Sequence, residues 1–482
     1  MKNLSRLLLS GAMSFVLSDG ALATGVMEEV LDNQKPTSGL PSIEENVALP
    51  SEIIAHIASY ARIREGYSME VVNKAWNKTL QRNEIWQRYN ERIPGYLRAK
   101  EESQTERPQA NDKHILQKLL KSKVYKFPSD NGIWHIYAIN EDGRTMVGDA
   151  DSRKYFVFTE KDGIDYDFTL NPGEVSAALG VSANGKVIVG DGTNNLNGNN
   201  EAFIRDEKAQ KKILPSLNGG RSSNAVGISD DHKTVVGVAR DGINSIRKAV
   251  AWKVEEGTLL TLDNILGVNR SSEVIGISKN GQLAVGTIQR PDTNKQDGFI
   301  WDLENQRVSY LNTENGAVSA MSANGEKVAG AAQNLQNNRN EAFIHDTLNH
   351  QIQFLSTINN GNYSEVTGLS ADGKVAVGYS ADSSKSPRED VLEFFTGEPT
   401  PETHASFIYY GNGIGMQPVK QLLQGQLLEE EYPFAHLRVS GNGTIITHAG
   451  SLGWYAYIPR YDVLKEEGLD LLPRPDEQNN QG

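Results

Sequence analysis

The stretch Gly368-Leu-Ser-Ala-Asp-Gly-Lys-Val-Ala-Val-Gly378 decides the fold of most of this chain of 482 residues. Close copies begin at Gly180, Gly227 and Gly276, and looser copies bring the number of repeats to seven. The aligned turn residues are 143, 185, 232, 281, 325, 373 and 443, so five intervals measure 42 to 49 residues and the last measures 70. Such intervals are typical of β-propeller blades, whereas leucine-rich and helical repeats are shorter or lack a strand pattern.

Each repeat predicts a β-hairpin followed by two further strands. An apolar stretch precedes Asn-Gly or Asp-Gly in most copies, and a second apolar stretch follows. Both residues of such a pair tolerate positive φ, which a type I′ turn requires. A third apolar run, such as Ala342-Phe-Ile344, and in most repeats a fourth, such as Ile352-Gln-Phe354, complete the unit. The predicted fold is mainly β, a seven-bladed β-propeller of four-stranded blades.

The ends of the repeat array predict how the ring closes. The last repeat ends soon after its third strand, while Val124-Tyr-Lys-Phe-Pro128 precedes the first repeat and looks like a missing fourth strand. We expect this segment to complete the last blade, which removes free sheet edges. Residues 461–464 are the alternative. Asn-rich loops at 194–200 and 334–340 and a polar insertion near 383–404 are candidate recognition loops.

Tripeptides at the third strand carry a resemblance. They read Glu201-Ala-Phe203 and Glu341-Ala-Phe343, with a looser His404-Ala-Ser-Phe407. This pattern resembles the HAF-type extracellular repeats of bacterial proteins, whose name comes from a His-Ala-Phe signature. The resemblance extends over roughly residues 130–460 and implies the fold without a ligand, because propellers serve binding, catalysis and scaffolding alike.

The beginning of the chain predicts export. A basic start, Met1-Lys-Asn-Leu-Ser-Arg6, precedes an apolar stretch at 7–17, and Ala21 and Ala23 are small residues where a signal peptidase reads. This pattern indicates a Sec-type signal peptide over 1–23, cleaved after Ala23 and too short to span a bilayer. The alternative is an N-terminal amphipathic or buried helix. We expect a secreted or periplasmic protein without a membrane anchor.

Composition excludes several functions. A net charge of −13 without a basic cluster argues against nucleic acid. The chain has no cysteine, its histidines lack metal-site spacing, and no cofactor is expected. A serine recurs before the turn in almost every repeat, which favours a role in blade geometry over an active site, so no enzyme is expected. These serines are Ser182, Ser229, Ser278, Ser322, Ser370 and Ser440.

A helical segment lies between the leader and the repeats. A flexible segment at 24–46 precedes it, and the segment itself, at 47–95, has apolar residues at helical spacing with a proline at a helix start. This pattern predicts a compact unit of three helices. The residues that carry it are Leu49, Pro50, Ile53, Ile57, Val72, Trp76 and Trp86.

These seven residues stand at matching positions of the F-box, which the segment resembles over about fifty residues. The resemblance implies that they bind a Skp-type adaptor of a host cullin-RING ubiquitin ligase, with a target protein held on the propeller face. Together with the leader, it implies a secreted bacterial effector that mimics a ligase receptor. The alternative for the helices is that they only cap or flank the propeller.

The second hypothesis for the whole chain is a periplasmic or extracellular β-propeller binding module with no ubiquitin-ligase role. In both hypotheses residues 96–120 contain a solvated linker at 99–113 and a short helix at 115–120, residues 121–464 form the propeller, and residues 465–482 form a disordered tail.

Overall fold

The structure is a computed structural model. It describes residues 96–106, 122–127, 133–150, 154–166, 176–194, 196–266, 270–290, 292, 295–313, 315–358, 361–381, 404–423, 426–427, 437–448 and 453–466. The chain divides into two compact bodies, of which the larger contains Lys121–Asp462. In the smaller body the structure describes helix α1 (Tyr96–Glu106).

Helix α1 occupies part of the segment that we expected to be a linker. Ala99 and Ser103 lie one turn apart and are buried. The Nε atom of Arg98 lies 3.2 Å from Oε1 of Glu102, an ion pair of the i,i+4 type that stabilises helices. The linker prediction is therefore wrong over this range, because small buried residues and an intrahelical ion pair favour a helix despite the polar composition.

Strands make up the larger body. Among the described residues, 28 strands pair into seven antiparallel groups of four. In chain order they are β1 (Lys123–Lys126), β2 (Ile133–Ile139), β3 (Thr145–Ala150), β4 (Lys154–Thr159), β5 (Gly163–Tyr166), β6 (Ser176–Val181), β7 (Ile188–Asn194), β8 (Asn199–Arg205), β9 (Lys211–Ile213), β10 (Ser223–Ile228), β11 (Thr234–Arg240), β12 (Arg247–Lys253), β13 (Thr258–Thr261), β14 (Ser272–Ile277), β15 (Leu283–Gln289), β16 (Gln296–Asp302), β17 (Arg307–Tyr310), β18 (Ala317–Met321), β19 (Lys327–Asn334), β20 (Arg339–Asp346), β21 (Gln351–Phe354), β22 (Tyr363–Leu369), β23 (Val375–Ala381), β24 (His404–Tyr410), β25 (Gly415–Pro418), β26 (Arg438–Val439), β27 (Ile445–His448) and β28 (Trp454–Tyr457).

We number the groups as sheets. Sheet 1 contains β2–β5, sheet 2 β6–β9, sheet 3 β10–β13, sheet 4 β14–β17, sheet 5 β18–β21, sheet 6 β22–β25, and sheet 7 β26–β28 with β1. A single parallel pair, Asn340 with Tyr363, joins sheets 5 and 6. Three short helices accompany the strands: α2 (Asp263–Leu266), α3 (Val419–Leu422) and α4 (Tyr461–Glu466). None of the helices that the structure describes is long and apolar enough to cross a membrane.

The sheets follow one another in a closed ring. Each first strand packs against the first strand of the next sheet, and β26 of sheet 7 packs against β2 of sheet 1. Backbone hydrogen bonds also join the first turns of neighbouring sheets: the N–H of Ala371 donates to Gly441 O at 2.7 Å, and that of Gly441 donates to Asn140 O at 3.3 Å. Sheets that radiate from a ring of first strands form a β-propeller.

The ring closes as the sequence predicted. Strand β1 pairs antiparallel with β28, with Tyr125 opposite Tyr455. The two tyrosine rings stack, with centroids 4.9 Å apart and planes 8° from parallel. Residues 461–464, the alternative closing strand, instead belong to helix α4.

The first turns differ from the predicted type I′ geometry. Gly185 has φ of 75°, but Asn184 before it does not have positive φ. The N–H of Ser182 donates to Val187 O at 2.9 Å, so the loop contains four residues rather than two. Loops of this length are mostly built around a type I turn, and here a glycine in the left-handed region ends it. The type I′ prediction is therefore wrong.

Apolar side chains pack between adjacent sheets. One cluster combines Val189 and Ala202 of sheet 2 with Ala225, Val235 and Trp252 of sheet 3, all of them buried. Comparable clusters join sheet 3 to sheet 4 and sheet 5 to sheet 6. These clusters remove the facing apolar side chains of neighbouring sheets from water and so hold the sheets together.

Candidate functional site

The repeated serines shape the turns, as predicted. The hydroxyl of Ser182 donates to Asn184 Oδ1 at 2.7 Å and accepts the N–H of Val187 at 3.0 Å. A serine that repeats these bonds in six of the seven sheets serves geometry, because a ligand site needs features that differ around the ring. The same pair of bonds occurs at Ser229, Ser278, Ser322, Ser370 and Ser440.

Titratable side chains are concentrated at a register position where the repeats differ in sequence. The second strand of six sheets contains a glycine, and the residue after that glycine pairs with a residue of the first strand. This pair can therefore be compared between the six sheets. These pairs are His135–Asp149, Ala177–Asp191, Asn224–Val238, Glu273–Thr287, Ala317–Ala331 and Glu365–Tyr379 in sheets 1 to 6. Sheets 3 and 5 have no titratable side chain here, and Glu273 of sheet 4 forms an exposed ion pair with Arg247. The remaining titratable groups at this position lie on sheets 6, 1 and 2. Sheets 6 and 1 are the two neighbours of sheet 7, and sheet 2 follows sheet 1.

In sheet 1 two aromatic rings hold a carboxylate. Nδ1 of His135 lies 2.9 Å from Oδ1 of Asp149, and the hydroxyl of Tyr137 donates to Oδ2 of the same carboxylate at 3.2 Å. The two rings stack at 5.5 Å. Burial and the Asp149 charge raise the pKa of Tyr137 well above its ordinary value, so the phenol remains a neutral donor. The His135 side chain is 50% exposed, which leaves this group accessible.

Sheet 6 carries a second group of the same kind. The hydroxyls of Tyr363 and Tyr379 both donate to Oε2 of Glu365, at 2.8 and 3.0 Å. Their rings stack with centroids 5.8 Å apart. Burial and the Glu365 charge raise the pKa of both phenols, which keeps them protonated. A carboxylate that accepts two hydroxyl donors is fixed in place.

Arg438 of sheet 7 connects the two groups. Its Nε donates to Tyr137 O in sheet 1 at 3.1 Å, while Nη1 donates to Thr367 O in sheet 6 at 3.1 Å and to Leu437 O at 3.2 Å. Burial lowers the pKa of this guanidinium, and the Glu365 charge acts in the opposite direction. One side chain thus binds the first strands of the sheets on either side of its own.

Asp191 extends the cluster to sheet 2. The amide of Asn200 donates to its Oδ2. Burial raises the pKa of Asp191 above its ordinary value, while the Asn200 hydrogen bond and the Lys211 charge act in the opposite direction and the Asp149 charge adds to the rise. We call these residues of sheets 6, 7, 1 and 2 the polar cluster: His135, Tyr137, Asp149, Asp191, Tyr363, Glu365, Tyr379 and Arg438.

Hydrogen bonds hold the loops between the second and third strands of sheets 2 and 5. In sheet 5 the amides of Asn334 and Asn337 donate to the two oxygens of Glu341 at 2.7 and 2.8 Å. Glu201 binds two asparagines of the sheet 2 loop in the same way. The first residue of the HAF-like tripeptide is therefore the anchor of its loop. Leu196 and Leu335 stand in these two loops and are 91% and 72% exposed.

The residues predicted to carry function lie outside the described part of the chain. They are the adaptor-binding set Leu49, Pro50, Ile53, Ile57, Val72, Trp76 and Trp86, and the cleavage residues Ala21 and Ala23. The polar cluster was not predicted. A signal for it exists in the sequence, because aligning the repeats on the second-strand glycine shows aspartate in two copies and tyrosine in another where the remaining copies have Val, Thr or Ala.

The cluster can bind polar and charged groups. It combines carboxylates, tyrosine hydroxyls and a guanidinium. The described residues contain no group of three His, Asp or Glu side chains arranged to hold a metal ion. The arrangement favours recognition of a ligand by hydrogen bonds and charge.

Comparisons with known proteins show likenesses of fold. No family model matches the chain, and no curated protein matches it. An oligogalacturonate lyase from Vibrio parahaemolyticus is similar in structure at 10% identity and a TM-score of 0.46, covering 70% of this chain and 97% of that one. TolB from Acinetobacter baumannii is similar at 12% identity and a TM-score of 0.36, covering 60% of this chain and 63% of that one. Likenesses this weak carry no function to the chain.

Proposed function

We propose that this chain is an exported, seven-bladed β-propeller that binds a ligand at the polar cluster and catalyses no reaction. The observation that carries the proposal is the asymmetry of the ring. Titratable and aromatic side chains gather on sheets 6, 7, 1 and 2, whereas the corresponding pairs of sheets 3 and 5 are apolar or uncharged and Glu273 of sheet 4 forms an exposed ion pair with Arg247. A side chain that serves the fold is needed in every sheet. Titratable side chains concentrated on a few neighbouring sheets therefore favour a binding site.

Two further features support this reading. The leader predicts export to the periplasm or beyond. The carboxylates of the cluster are each bound by neutral donors from the protein, which suits holding a ligand more than moving protons, since Tyr137 and Tyr379 both have raised pKa values. The proposed partner is a soluble molecule or an exposed segment of another protein.

Arrays of glycans and peptides test the proposal. The labelled mature chain, residues 24–482, is applied beside the double variant Asp149→Asn with Glu365→Gln. Glu273→Gln is the matched control, because it occupies the same register position in sheet 4. We expect the double variant to lose the ligands of the wild type and the control to keep them. Equal binding by all three proteins would overturn the proposal.

A second candidate function rests on the F-box-like residues Leu49, Pro50, Trp76 and Trp86. In this proposal the chain reaches the host cytosol and presents a target protein to a Skp-type adaptor. The test is co-purification of the adaptor with the intact mature chain and with Pro50→Ala combined with Trp76→Ala. Adaptor that binds only the wild type supports this role. Absence of binding, or confinement of the protein to the bacterial envelope, contradicts it.

A further inference from the structure

We propose that the protein adsorbs to the surface of a phospholipid bilayer that contains anionic lipids, through three apolar loop tips at one end of the propeller. The tips are Leu196, Ile243 and Leu335. The inference goes beyond the proposed ligand binding, because it concerns loops of sheets 2, 3 and 5 and needs no residue of the polar cluster.

The three tips share one position in the fold. Each stands in the loop between the second and third strands of its sheet, and the exposed fractions are 91% for Leu196, 81% for Ile243 and 72% for Leu335. Five large apolar side chains are exposed among the described residues, and these three are the most exposed of them. A single exposed leucine is ordinary on a protein surface. Recurrence at one loop position in three sheets favours a shared role in an interaction.

The tips lie at the same end of the ring. Backbone hydrogen bonds join the first turns of neighbouring sheets: the N–H of Lys279 donates to Ala323 O at 2.7 Å, and that of Ala323 donates to Ala371 O at 2.8 Å. The first turns therefore occupy one end of the ring. Because each second strand runs from the first turn of its sheet to the next loop, the loops that carry the tips occupy the other end.

Hydrogen-bonded turns hold the tips in place. Oδ1 of Asn194 accepts the N–H of Leu196, and Oδ1 of Asp241 accepts the N–H of Ile243, both at 3.0 Å. Such turns order the backbone of a loop before a partner arrives, which lowers the cost of binding.

The loop segments around the tips are uncharged. Residues 195–198, 242–246 and 335–338 contain asparagine, glutamine, serine and glycine beside the apolar residues, and no Asp, Glu, Lys or Arg. A charged side chain loses free energy when it enters hydrocarbon, whereas aliphatic side chains gain by burial at the boundary between headgroups and acyl chains. These segments can therefore enter the surface layer of a bilayer.

Two arginines flank the tips. Nη1 of Arg240 donates to Ser245 O in the sheet 3 loop at 2.6 Å, and Nη1 of Arg339 donates to Gly361 O beside the sheet 5 loop at 3.3 Å. These bonds place both guanidinium groups at the end of the ring that carries the tips, and both residues are exposed. Guanidinium groups bind phosphates, and basic side chains near anionic lipids strengthen adsorption.

The opposite connections of the same three sheets differ in charge. The turns between third and fourth strands, 206–210, 254–257 and 347–350, contain four carboxylates and one lysine, Lys208. The loops of the tips expose no carboxylate, since Asp241 is only 7% exposed. An anionic surface is therefore repelled at the turns and meets the tips and their arginines instead. The four carboxylates are Asp206, Glu207, Glu255 and Glu256.

A bilayer suits these tips better than a protein partner does. Each tip stands on a different sheet, and polar residues separate them. Protein interfaces draw most of their affinity from a contiguous, well-packed centre. A bilayer surface, in contrast, accepts separate side chains without matching a shape. In sheet 4, between two of the tips, Arg290 pairs with Asp292 at 2.6 Å, and such a pair suits the polar headgroup level.

Flotation of the mature chain, residues 24–482, with lipid vesicles tests the proposal. We expect it to float with vesicles of phosphatidylglycerol and phosphatidylcholine in equal parts. The triple variant Leu196→Asn, Ile243→Asn and Leu335→Asn should bind at least about 100-fold more weakly, because burial of each aliphatic side chain contributes about tenfold. Leu348→Asn is the matched control, since Leu348 is 68% exposed in a turn at the opposite end, and it should change binding less than about twofold.

The contribution of charge is tested by Arg240→Gln combined with Arg339→Gln. This variant should bind the mixed vesicles about 10- to 30-fold more weakly, and it should keep the weaker binding of the wild type to phosphatidylcholine alone. Equal binding of wild type and variant to the mixed vesicles would overturn the anionic part of the assignment.

A fluorescent label reports insertion without relying on the triple variant. The chain has no cysteine, so Leu196→Cys and Leu348→Cys each carry one environment-sensitive dye. We expect vesicles to shift the emission of the dye at position 196 to shorter wavelength and to leave the dye at position 348 unchanged. Absence of flotation by the wild type, an equal loss in Leu348→Asn, or no shift at position 196 overturns the proposal.

A protein partner would give a different result. Flotation of the triple variant equal to that of the wild type, with loss of a protein ligand from the peptide array, would assign the tips to a protein interface and overturn the bilayer assignment. The proposed ligand binding fails separately, since its variants Asp149→Asn and Glu365→Gln leave the tips intact.

Discussion

Replacing Arg460 with methionine tests how the last two sheets are held together. The side chain of Arg460 is 2% exposed, and that of Asp462 is fully buried. Nε and Nη2 of the arginine donate to the two oxygens of Asp462 at 2.8 and 2.6 Å. Nη2 also donates to Asp372 in the turn of sheet 6 at 2.6 Å, and Nη1 donates to Asn442 O in the turn of sheet 7 at 2.7 Å.

The substitution leaves the Asp462 carboxylate buried without its cation. Removing one partner of a buried ion pair costs about 3–5 kcal/mol, and we expect the free energy of unfolding near neutral pH to fall by this amount. Burial alone would raise the pKa of Asp372, but the Arg460 charge and the Ser370 hydroxyl outweigh it and hold that pKa below its ordinary value. The stabilisation from Asp372 is therefore present above its unfolded pKa of about 3.9 and is lost as the pH falls through the folded value.

Urea unfolding followed by tryptophan fluorescence measures the effect. Lys233→Met is the control, since it breaks an ion pair whose partners are 56% and 68% exposed, and it should cost less than about 1 kcal/mol. Combining Arg460→Met with Asp462→Leu should recover most of the loss, because apolar residues often replace a buried ion pair without cost. A cost below about 1 kcal/mol for Arg460→Met, or no recovery in the double variant, would refute the reasoning.

Three further predictions concern the loops, the site and the closing strand. Glu341→Gln replaces one of the two oxygens that accept the asparagine amides of the sheet 5 loop with an NH2 donor, and we expect about 1–3 kcal/mol of lost stability with faster amide exchange at Gln336 and Arg339, whose N–H groups bind those asparagines; unchanged exchange would contradict this. Because burial raises the pKa of Asp191, the affinity for an array ligand that contacts this carboxylate should change at a higher pH than an exposed aspartate would cause, and Asp191→Asn should abolish that part of the profile in calorimetry. Tyr125→Ala removes the ring stacked on Tyr455 and should lower the free energy of unfolding by at least about 1 kcal/mol, whereas an unchanged urea midpoint would show that β1 does not stabilise the ring.

The repeat made the fold predictable. A unit such as Gly368 to Gly378 cannot bury its apolar faces alone, so its recurrence already implied neighbouring sheets packed face to face. The closing strand was predictable for a related reason: the last repeat lacked a fourth strand and residues 124–128 supplied one, as the pairing of Tyr125 with Tyr455 confirms.

Other features depended on contacts that the repeat does not encode. The type I′ prediction failed because Asn184 accepts the Ser182 hydroxyl and a backbone N–H, which stabilises a longer loop with a single left-handed glycine. The polar cluster was missed because it unites residues of different sheets through Arg438, whose partners Tyr137 and Thr367 lie 301 and 71 positions away. Repeat alignment finds what the copies share, while the site consists of what they do not share.

Carboxyl footprinting tests the central claim most directly, namely that the ligand occupies sheets 6, 7, 1 and 2. Carbodiimide labelling of the mature chain, with and without a saturating array ligand, reports the accessibility of each carboxylate by mass spectrometry. The account predicts that the ligand protects Asp149 and Glu365 and leaves Glu273, at the same register position of sheet 4, labelled as before. Protection of Glu273 alone, or of none of the three, would contradict it.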